Sequence, residues 1–399
     1  MNSSSREMPP NQAIQSAQVP VESAGMRLDK VLVELFPEFS RSRLQTWLKE
    51  NRVLVNGKVP AKGNQKVKAE DLIDLSPGVL EHMQSAKPED LDLQVVGESP
   101  DYWVIDKQAG LVVHPAPGNW TGTVMNGLVH LDPELVQVPR AGIVHRLDRD
   151  TSGLMVVARH SDSQAKLIQM LQARIVKRVY LAIVWGKLSS PVTVNKPLGR
   201  DPRNRLRMAV VEFGKPAVTH FTPVLHGELM GIPVTAMVCR LETGRTHQIR
   251  VHAQHSGFAL VADNTYKLQG AGSHSAIRVN EIETGQGQVF CRQALHAMHL
   301  SFPEPAEFEP RAHFSSAKEW DAHLHTLSWP EFMAQPPMDL MQLGQLAGLD
   351  LLGEAILNAV NDNAALHKAS SLVLANESDD EEDEDDSDYD VEVSYVRDE

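Results

Sequence analysis

Three short stretches of the sequence carry side chains whose types and spacing suit chemistry. The first, "HRLDRDTSG" at residues 145–153, lies between the apolar runs at 141–144 and 154–158. A turn there needs Asp, Thr, Ser and Gly, but not His145, Arg146 and Arg149 as well. Asp148 and Asp150 stand two apart, so in an extended segment they point in opposite directions and do not form an acid/base pair. One is free to face a cleft while the other closes a turn with Thr151 and Ser152. The segment is either a solvated turn or one that holds a carboxylate in place for chemistry. Asp-x-Asp also resembles the metal–phosphate motif of some sugar transferases, a weak pattern by itself.

The second stretch is "LETGRTHQIRVHAQH", residues 241–255, where a Thr243-Gly244-Arg245 turn precedes Arg245, His247 and Arg250 in a short span. His247, His252 and His255 make a conceivable metal set, but H-E-x-x-H is absent and no thiol is near, so solvated or RNA-facing histidines are the better reading. The third is "KRVYLAIVWG", residues 177–186. Tyr180 lies on the strand face opposite Leu181, which by pattern alone is an ordinary half-buried tyrosine.

Elements must hold these groups. "YWVIDK", "GLMVVAR", "VYLAIVWGK", "TAMVCRLE" and "ALHAMHLSF" read as strands. "SDSQAKLIQMLQARI" reads as a helix capped by Ser161 or Ser163, with Ala165, Ile168, Leu171 and Ile175 on its inner face. Upstream, Leu28, Val31, Leu32 and Leu35 have helical spacing. Ser40 suits the N-cap of a second helix that buries Leu44, Trp47 and Leu48. "RVLVNGK" is a strand running into the hairpin signal Asn56-Gly57. Arg41, Arg43, Lys49 and Arg52 sit on or beside the second helix, and Lys58, Lys62, Lys66 and Lys68 follow. Residues 85–92, "SAKPEDLD", read as a linker. Residues 338–360 read as one docked or partner-binding amphipathic helix.

Composition narrows the class. The chain has 399 residues, enough for two or three domains, and only two cysteines, Cys239 and Cys291, which fits a reducing cytoplasm. The first residues lack the apolar run of a signal peptide, and no apolar stretch is long enough to span a membrane. No phosphate-binding glycine loop is present, so no nucleotide cofactor is expected. The net charge of −14 is unevenly placed: residues 377–399 hold fourteen Asp/Glu and one Arg, a net of −13. Residues 140–250 hold eighteen Lys/Arg against seven Asp/Glu, a net of +11, which suggests a polyanionic partner such as nucleic acid.

Taken together, "GIVHRLDRDTSGLMVVAR", "KRVYLAIVWG", "GRTHQIRVHAQH" and "RQALHAMHLSF", in this order and spacing, resemble the RluA/RluD family of RNA pseudouridine synthases. "GLVVHPAPGNWTGTVMNGLVH" is similar to its RluD-like branch. The similarity covers residues 88–310 or so, and residues 26–75 resemble the αL-type RNA-binding module that often precedes this catalytic domain. The resemblance implies that Asp148 is the nucleophile, that Tyr180 contacts the target base, and that Arg250 pairs with the nucleophile. It implies that Arg146 helps hold the place of the flipped-out nucleotide, and that Asp150, Thr151 and Ser152 are mostly architectural. Uridine isomerisation breaks an N-glycosidic bond, rotates the uracil and reattaches it through carbon, with no redox step and no energy source. The base must first leave its stack. Arg245 and His247, with Arg41, Arg43, Lys49 and Arg52 of the module, are then candidate RNA contacts, and Arg200, Arg203, Arg205 and Arg207 are candidate phosphate holders. One departure is residues 262–267, "ADNTYK", where the family often shows G-D-x-x-Y-G, followed by a longer loop to residue 290.

The expected protein is α+β: a catalytic domain with a mixed, largely antiparallel sheet behind a small α+β RNA-binding module. The expected divisions are a disordered segment at 1–24, the module at 25–84, the catalytic domain at 88–325, an extension at 326–376 and a disordered acidic tail at 377–399. The expected activity is conversion of uridines to pseudouridine in structured RNA, above all large-subunit (23S) ribosomal RNA. The expected setting is a cytoplasmic monomer acting on ribosomal RNA or a pre-ribosomal particle, without metal, cofactor or membrane. Two other classes share parts of the pattern. A non-catalytic ribosome-assembly factor would not need Asp148 and Tyr180, and a metal-dependent sugar transferase would lose activity in a strong chelator.

Overall fold

A computed structural model gives the fold. It describes residues 14–36, 39, 41–77, 87–116, 119–268, 281–285 and 287–374, without the side chains of 41–43 and 366–374. The expected Ser40 cap and the acidic tail at 377–399 lie outside the described residues. The chain divides into two compact units between Ser85 and Ala86.

In the first unit, β1 (Gln15–Gln18), α1 (Leu28–Leu35), α2 (Arg41–Lys49), β2 (Val53–Val55) and β3 (Leu72–Leu75) form a three-stranded antiparallel sheet, order β1-β3-β2, with two helices. Residues 14–24 were expected to belong to a disordered segment; instead Gln15–Gln18 pair with Leu72–Leu75, giving β3 a partner on its open edge. The helical stripe is buried as its spacing requires: Leu28, Val31, Leu32, Leu44 and Trp47 pack with Val53, Ile73 and Leu75. Each such side chain contributes about 1.5–3 kcal/mol of burial. Asn56 and Gly57 both take left-handed backbone (φ 51° and 73°), the tight turn their types favour. The returning chain makes the isolated bridges Val55–Lys58 and Arg27–Lys66, and the strand that pairs with β2 is β3.

The second unit begins with β4 (Gln94–Glu98), β5 (Tyr102–Lys107), α3 (Val124–Leu131), β6 (Ser152–Ala158), α4 (Ser161–Gln172) and β7 (Lys177–Trp185). It continues through β8 (Val192–Asn195), β9 (Leu198–Asp201), β10 (Asn204–Val210), β11 (Val218–Leu229), β12 (Ile232–Leu241) and α5 (Gln248–His255). It ends with β13 (Ile282–Gly285), β14 (Gln288–Phe290), β15 (Leu295–Ser301), α6 (Ala317–Thr326), β16 (Glu331–Met333), α7 (Met338–Leu346) and α8 (Glu354–Leu374). Nine strands form one sheet, β4-β5-β6-β15-β7-β12-β11-β8 with β16 added beside β15. It is mixed and largely antiparallel: only β6 and β15 run parallel.

Both faces are buried, which is why the strands read as continuous apolar runs. On one face Met155, Val157, Tyr180, Ala182, Cys239 and Ala297 pack with α3 and α5. On the other, Leu154, Val156 and Ala158 pack with α4 and α6, while Leu181, Ile183 and Val238 pack with α7 and α8.

Five expectations shift. The inner face of α4 is Ser163, Gln164, Leu167 and Met170, and Ile168 is exposed. The helix is turned because Gln164 is buried to donate to the Pro139 carbonyl (2.7 Å), and its cap is His160, not Ser161 or Ser163. Residues 87–89 of the expected linker are fixed to α3: Asn126 Nδ2 donates to the Lys87 carbonyl (2.9 Å) and Gly122 N to Glu89 Oε2 (2.9 Å). The single helix expected over 338–360 is two helices broken by a turn at residues 347–353, where Gly348 is left-handed (φ 71°). Nor is 326–376 an appendage: β16 joins the sheet, and Leu340, Leu343, Ile356 and Val360 are core.

Candidate active site

The "HRLDRDTSG" segment approaches β6 as a turn whose backbone is held on all sides. Lys107, at the end of β5, is fully buried, and its Nζ donates to the carbonyls of Gln108 (2.9 Å), Leu111 (2.9 Å) and Arg149 (2.8 Å). Burial pushes this ammonium down to about 7, against the pull of Asp150 and Asp148. Thr151 N closes the turn on the Asp148 carbonyl (3.1 Å), and Arg292 donates to the Asp150 carbonyl (3.2 Å). Ser152 Oγ pairs with His296 Nδ1 (3.0 Å), and His145 Nε2 accepts from Val156 N (3.0 Å). Gly153 has φ 115° and lies where β6 meets β15 in parallel; a Cβ there would collide with the Ala297 backbone. The two aspartates diverge as their spacing requires. Asp150 pairs with Arg149 (3.1 Å), while Asp148 turns to α5.

There it meets Arg250. Arg250 NH1 donates to Asp148 Oδ2 (2.9 Å), while Nε and NH2 grip Asp263 at 2.7 and 3.0 Å. Asp263 Oδ1 also accepts from the backbone of Thr265 (2.8 Å) and Tyr266 (2.9 Å), so the guanidinium plane is set from behind before it reaches Asp148. Burial alone would raise the Asp148 carboxyl. The charges of His247 and Arg250, the Arg250 hydrogen bond and the charge of Arg146 more than offset it, and the group is pushed down to about 2. Its side chain keeps 17% exposure, so an ionised oxygen still meets the cleft. Oδ1 lies 3.8 Å from His247 Nε2, beyond hydrogen-bond length. His247 Nδ1 in turn contacts the Tyr266 hydroxyl (2.8 Å), which also accepts from Met208 N (2.9 Å).

Gln248 explains the rest of "TGRTHQIRVH". Its Oε1 accepts from Thr243 Oγ1 (2.7 Å) and Arg245 N (3.0 Å), and its Nε2 donates to Val218 O (3.0 Å) and Thr219 Oγ1 (2.9 Å). The turn is thereby tied to β11 before α5 begins. His252 is spent on Thr219 Oγ1 (2.8 Å) and the Lys196 carbonyl (3.0 Å), and His255 is exposed, so the three histidines do not converge. Among the described residues, no three or more His, Cys, Asp or Glu side chains cluster to hold a metal ion.

Tyr180 faces the same side of the sheet as Ala182 and Cys239 and is buried. Burial raises its phenol, Arg178 opposes this, and Asp148 adds to it, so the ring is neutral and lies within the field of the carboxylate. Thus Asp148, Tyr180, Arg250 and His247 come together. Arg146 is exposed, with its charge close enough to act on Asp148. Arg245 is half-buried, its Nε donating to the Pro216 carbonyl (3.2 Å). Lys49 and Arg52 belong to the first unit, Lys49 exposed and Arg52 paired with Glu50 (3.0 Å), and the side chains of Arg41 and Arg43 lie outside the described residues.

Asp263, Tyr266 and Lys107 were not singled out in the sequence. Asp263 and Tyr266 occupy the Asp and Tyr of "ADNTYK", so that departure from G-D-x-x-Y-G keeps both side chains and replaces only the glycines. Ala262 takes φ 55°, the left-handed conformation a glycine would adopt there.

Residues 101–255 match the RNA pseudouridylate synthase family, and residues 26–73 match the S4 domain. The chain is 42% identical over 381 residues to ribosomal large subunit pseudouridine synthase D of Neisseria meningitidis serogroup B, covering 95% of this chain and 92% of that protein. The protein of the same name from Xanthomonas campestris pv. campestris is 45% identical over 302 residues (76% and 88%). That from Escherichia coli is 43% identical over 290 (73% and 86%). The chain therefore belongs to the RluA/RluD family of RNA pseudouridine synthases, with an S4 domain ahead of the catalytic unit.

Proposed function

We propose that this enzyme acts on large-subunit ribosomal RNA, with Asp148 as the nucleophile. The observation that carries the assignment is the Arg250 guanidinium, shared between buried Asp263 and Asp148, which keeps Asp148 ionised while leaving Oδ1 without a hydrogen bond among the described residues. Tyr180 contacts the flipped-out uracil beside that oxygen, and Arg146 occupies the place the nucleotide leaves. Asp148 then serves as the group through which the N1–C1′ bond is broken and the uracil released, turned and rejoined through C5, with the C5 proton lost and one gained at N1, so that the product is an isomer of the substrate. Arg250 holds its charge throughout and Tyr180 holds the ring. The S4 domain, with Arg41, Arg43, Lys49 and Arg52, and the exposed Arg203 and Arg205 contact phosphates and set register. Arg245 and His247 border the strand's path into the site. The substrate is placed in the assembling large subunit in the cytoplasm, with one copy of the chain acting on it. The names of the relatives support the large-subunit RNA part of this reading. Among the described residues, no helix is long and apolar enough to cross a membrane.

Mapping pseudouridines in total RNA from cells with the gene, without it, and with Asp148→Asn tests this. Specific large-subunit positions should lose the modification in both altered strains. Unchanged large-subunit RNA would move the substrate elsewhere, and modification surviving in Asp148→Asn would remove the nucleophile assignment.

A further inference from the structure

Arg178 lies two residues before Tyr180 on β7 and faces the same side of the sheet. It is 8% exposed, its Nε is buried with no hydrogen-bond partner, and no carboxylate among the described residues pairs with it. A charge removed from water without a partner is costly. Its surroundings make the omission worse. The Tyr180 phenol is neutral, His145 is held neutral by burial and by Arg178 itself, and the nearby Arg245 carries like charge. The fold nevertheless makes room for the group: a Cβ on Gly244 would meet the Arg178 guanidinium at 2.5 Å, so the glycine lets the guanidinium lie in its present place against the Thr243-Gly244-Arg245 turn. A site this specific, cationic and unneutralised awaits an anion.

We infer that Arg178, with Arg245 beside it, seats one backbone phosphate of the RNA strand flanking the flipped uridine. This rests on the functional reading above. A guanidinium offers paired N–H donors that match two phosphate oxygens. The strand rises ~3.3 Å per residue, so Arg178 and Tyr180 are ~6.6 Å apart along one face. That is a span comparable to the reach from a base to its own backbone. With the base against Tyr180, a phosphate at Arg178 fixes the sugar between them, and the sugar carries the bond to be broken. Binding neutralises Arg178 and relieves its repulsion with Arg245, so the seat favours a bound strand over an empty cleft.

The test uses full-length protein in the Asp148→Asn background and a synthetic hairpin carrying a mapped target uridine. The hairpin is made repeatedly with one neutral methylphosphonate linkage moved through the flanking nucleotides. Arg178→Gln should weaken binding roughly tenfold at low salt and flatten the log–log salt dependence by about 0.7, one single-strand phosphate contact. Arg178→Lys should restore most of the slope. One linkage near the uridine should cost binding with Arg178 present and cost nothing further in Arg178→Gln. Gly244→Ala, which displaces the guanidinium without removing it, should reproduce the linkage-specific loss. It serves as the deciding variant if Arg178→Gln does not fold. An unchanged slope, or losses that add at every linkage, overturns the seat. Pseudouridine formation in the same hairpin is measured with the otherwise unaltered enzyme. Product without linkage coupling removes only the Arg178 seat, whereas no product removes the functional reading and the seat with it.

Discussion

Asp148 and Asp150 have the same chemistry and nearly the same place in the chain, yet only one has a guanidinium fixed from behind. Asp148→Asn is therefore expected to abolish pseudouridine formation with RNA binding nearly intact, while Asp150→Asn keeps substantial turnover. Equal residual rates in a single-turnover assay would dismiss Asp148 as the unique nucleophile. Arg250 serves two carboxylates with three nitrogens, so the loss should not depend on charge alone. Both Arg250→Leu and Arg250→Lys should lower kcat, because an ammonium cannot hold Asp263 and Asp148 in the same plane. The cost is about 2–5 kcal/mol for one partner of a buried, charge-assisted contact. A change confined to KM would mean that Arg250 only contacts RNA. The pH behaviour follows from the depressed Asp148 pKa of about 2. The carboxylate is ionised throughout the range above its unfolded pKa. Its contribution to stability is complete there and is lost only as pH falls toward the folded value. Asp148 thus sets no acid limb in the neutral range. In Arg250→Leu, burial is less opposed, and the acid limb of the residual activity should move to higher pH. An unshifted limb would mean that His247 and Arg146 suffice to keep Asp148 charged.

The elements explain which of these groups sequence reading finds. Short, nearly continuous apolar runs marked β6, β7, β12 and β15, because both faces of these strands are buried, and helical spacing marked α1, because it buries the side chains its period selects. Where a polar residue is buried, the pattern misleads. Gln164 reads as solvent-facing, yet its bond to the Pro139 carbonyl turns α4 away from the face that Ala165 and Ile168 suggest. Asp263 is fully buried and in no strand or helix, so neither period nor hydropathy points to it. Only its place in a degraded G-D-x-x-Y-G pattern does. His247 reads as a surface RNA contact, but the left-handed N-cap of α5 (φ 56°) swings it beside Asp148. Residues 326–376 read as an extension because the pairing of β16 with β15 is a three-residue event without a sequence signature. Gly153 shows how closely the catalytic turn depends on the sheet. Gly153→Ala adds a methyl against the Ala297 backbone at a φ of 115° that side chains avoid. It should cost at least about 1–3 kcal/mol of backbone strain before any clash is relieved. A lower melting temperature with proportionate loss of activity at constant pH is the expected result. An unchanged melt would show that the β6–β15 junction has slack.

The molecule divides its labour between two separately cored units. Every group around Asp148, from Lys107 to Tyr266, lies in the unit that begins at Ala86, and the first unit buries its own cluster from Val19 to Leu75. The first unit is rich in positive charge: Lys49, Arg52, Lys58, Lys62, Lys66 and Lys68 crowd a short stretch of the S4 domain. Such charges act on a polyanion by releasing counterions, so their contribution falls with salt and carries little information about sequence. Deleting residues 1–85 should therefore leave turnover measurable on a minimal hairpin, because no side chain of the site is removed. Affinity for the intact ribosomal RNA should drop, most at low salt, and the log–log salt slope should flatten by about 0.7–0.9 for each phosphate that the S4 domain no longer neutralises. Selectivity among uridines should fall with it, since phosphate contacts set the register in which a strand enters the catalytic unit. The decisive comparison is the slope for the intact and shortened chains on the same RNA. Parallel lines would show that the S4 domain's basic residues meet some other partner and that the catalytic unit finds its uridine alone.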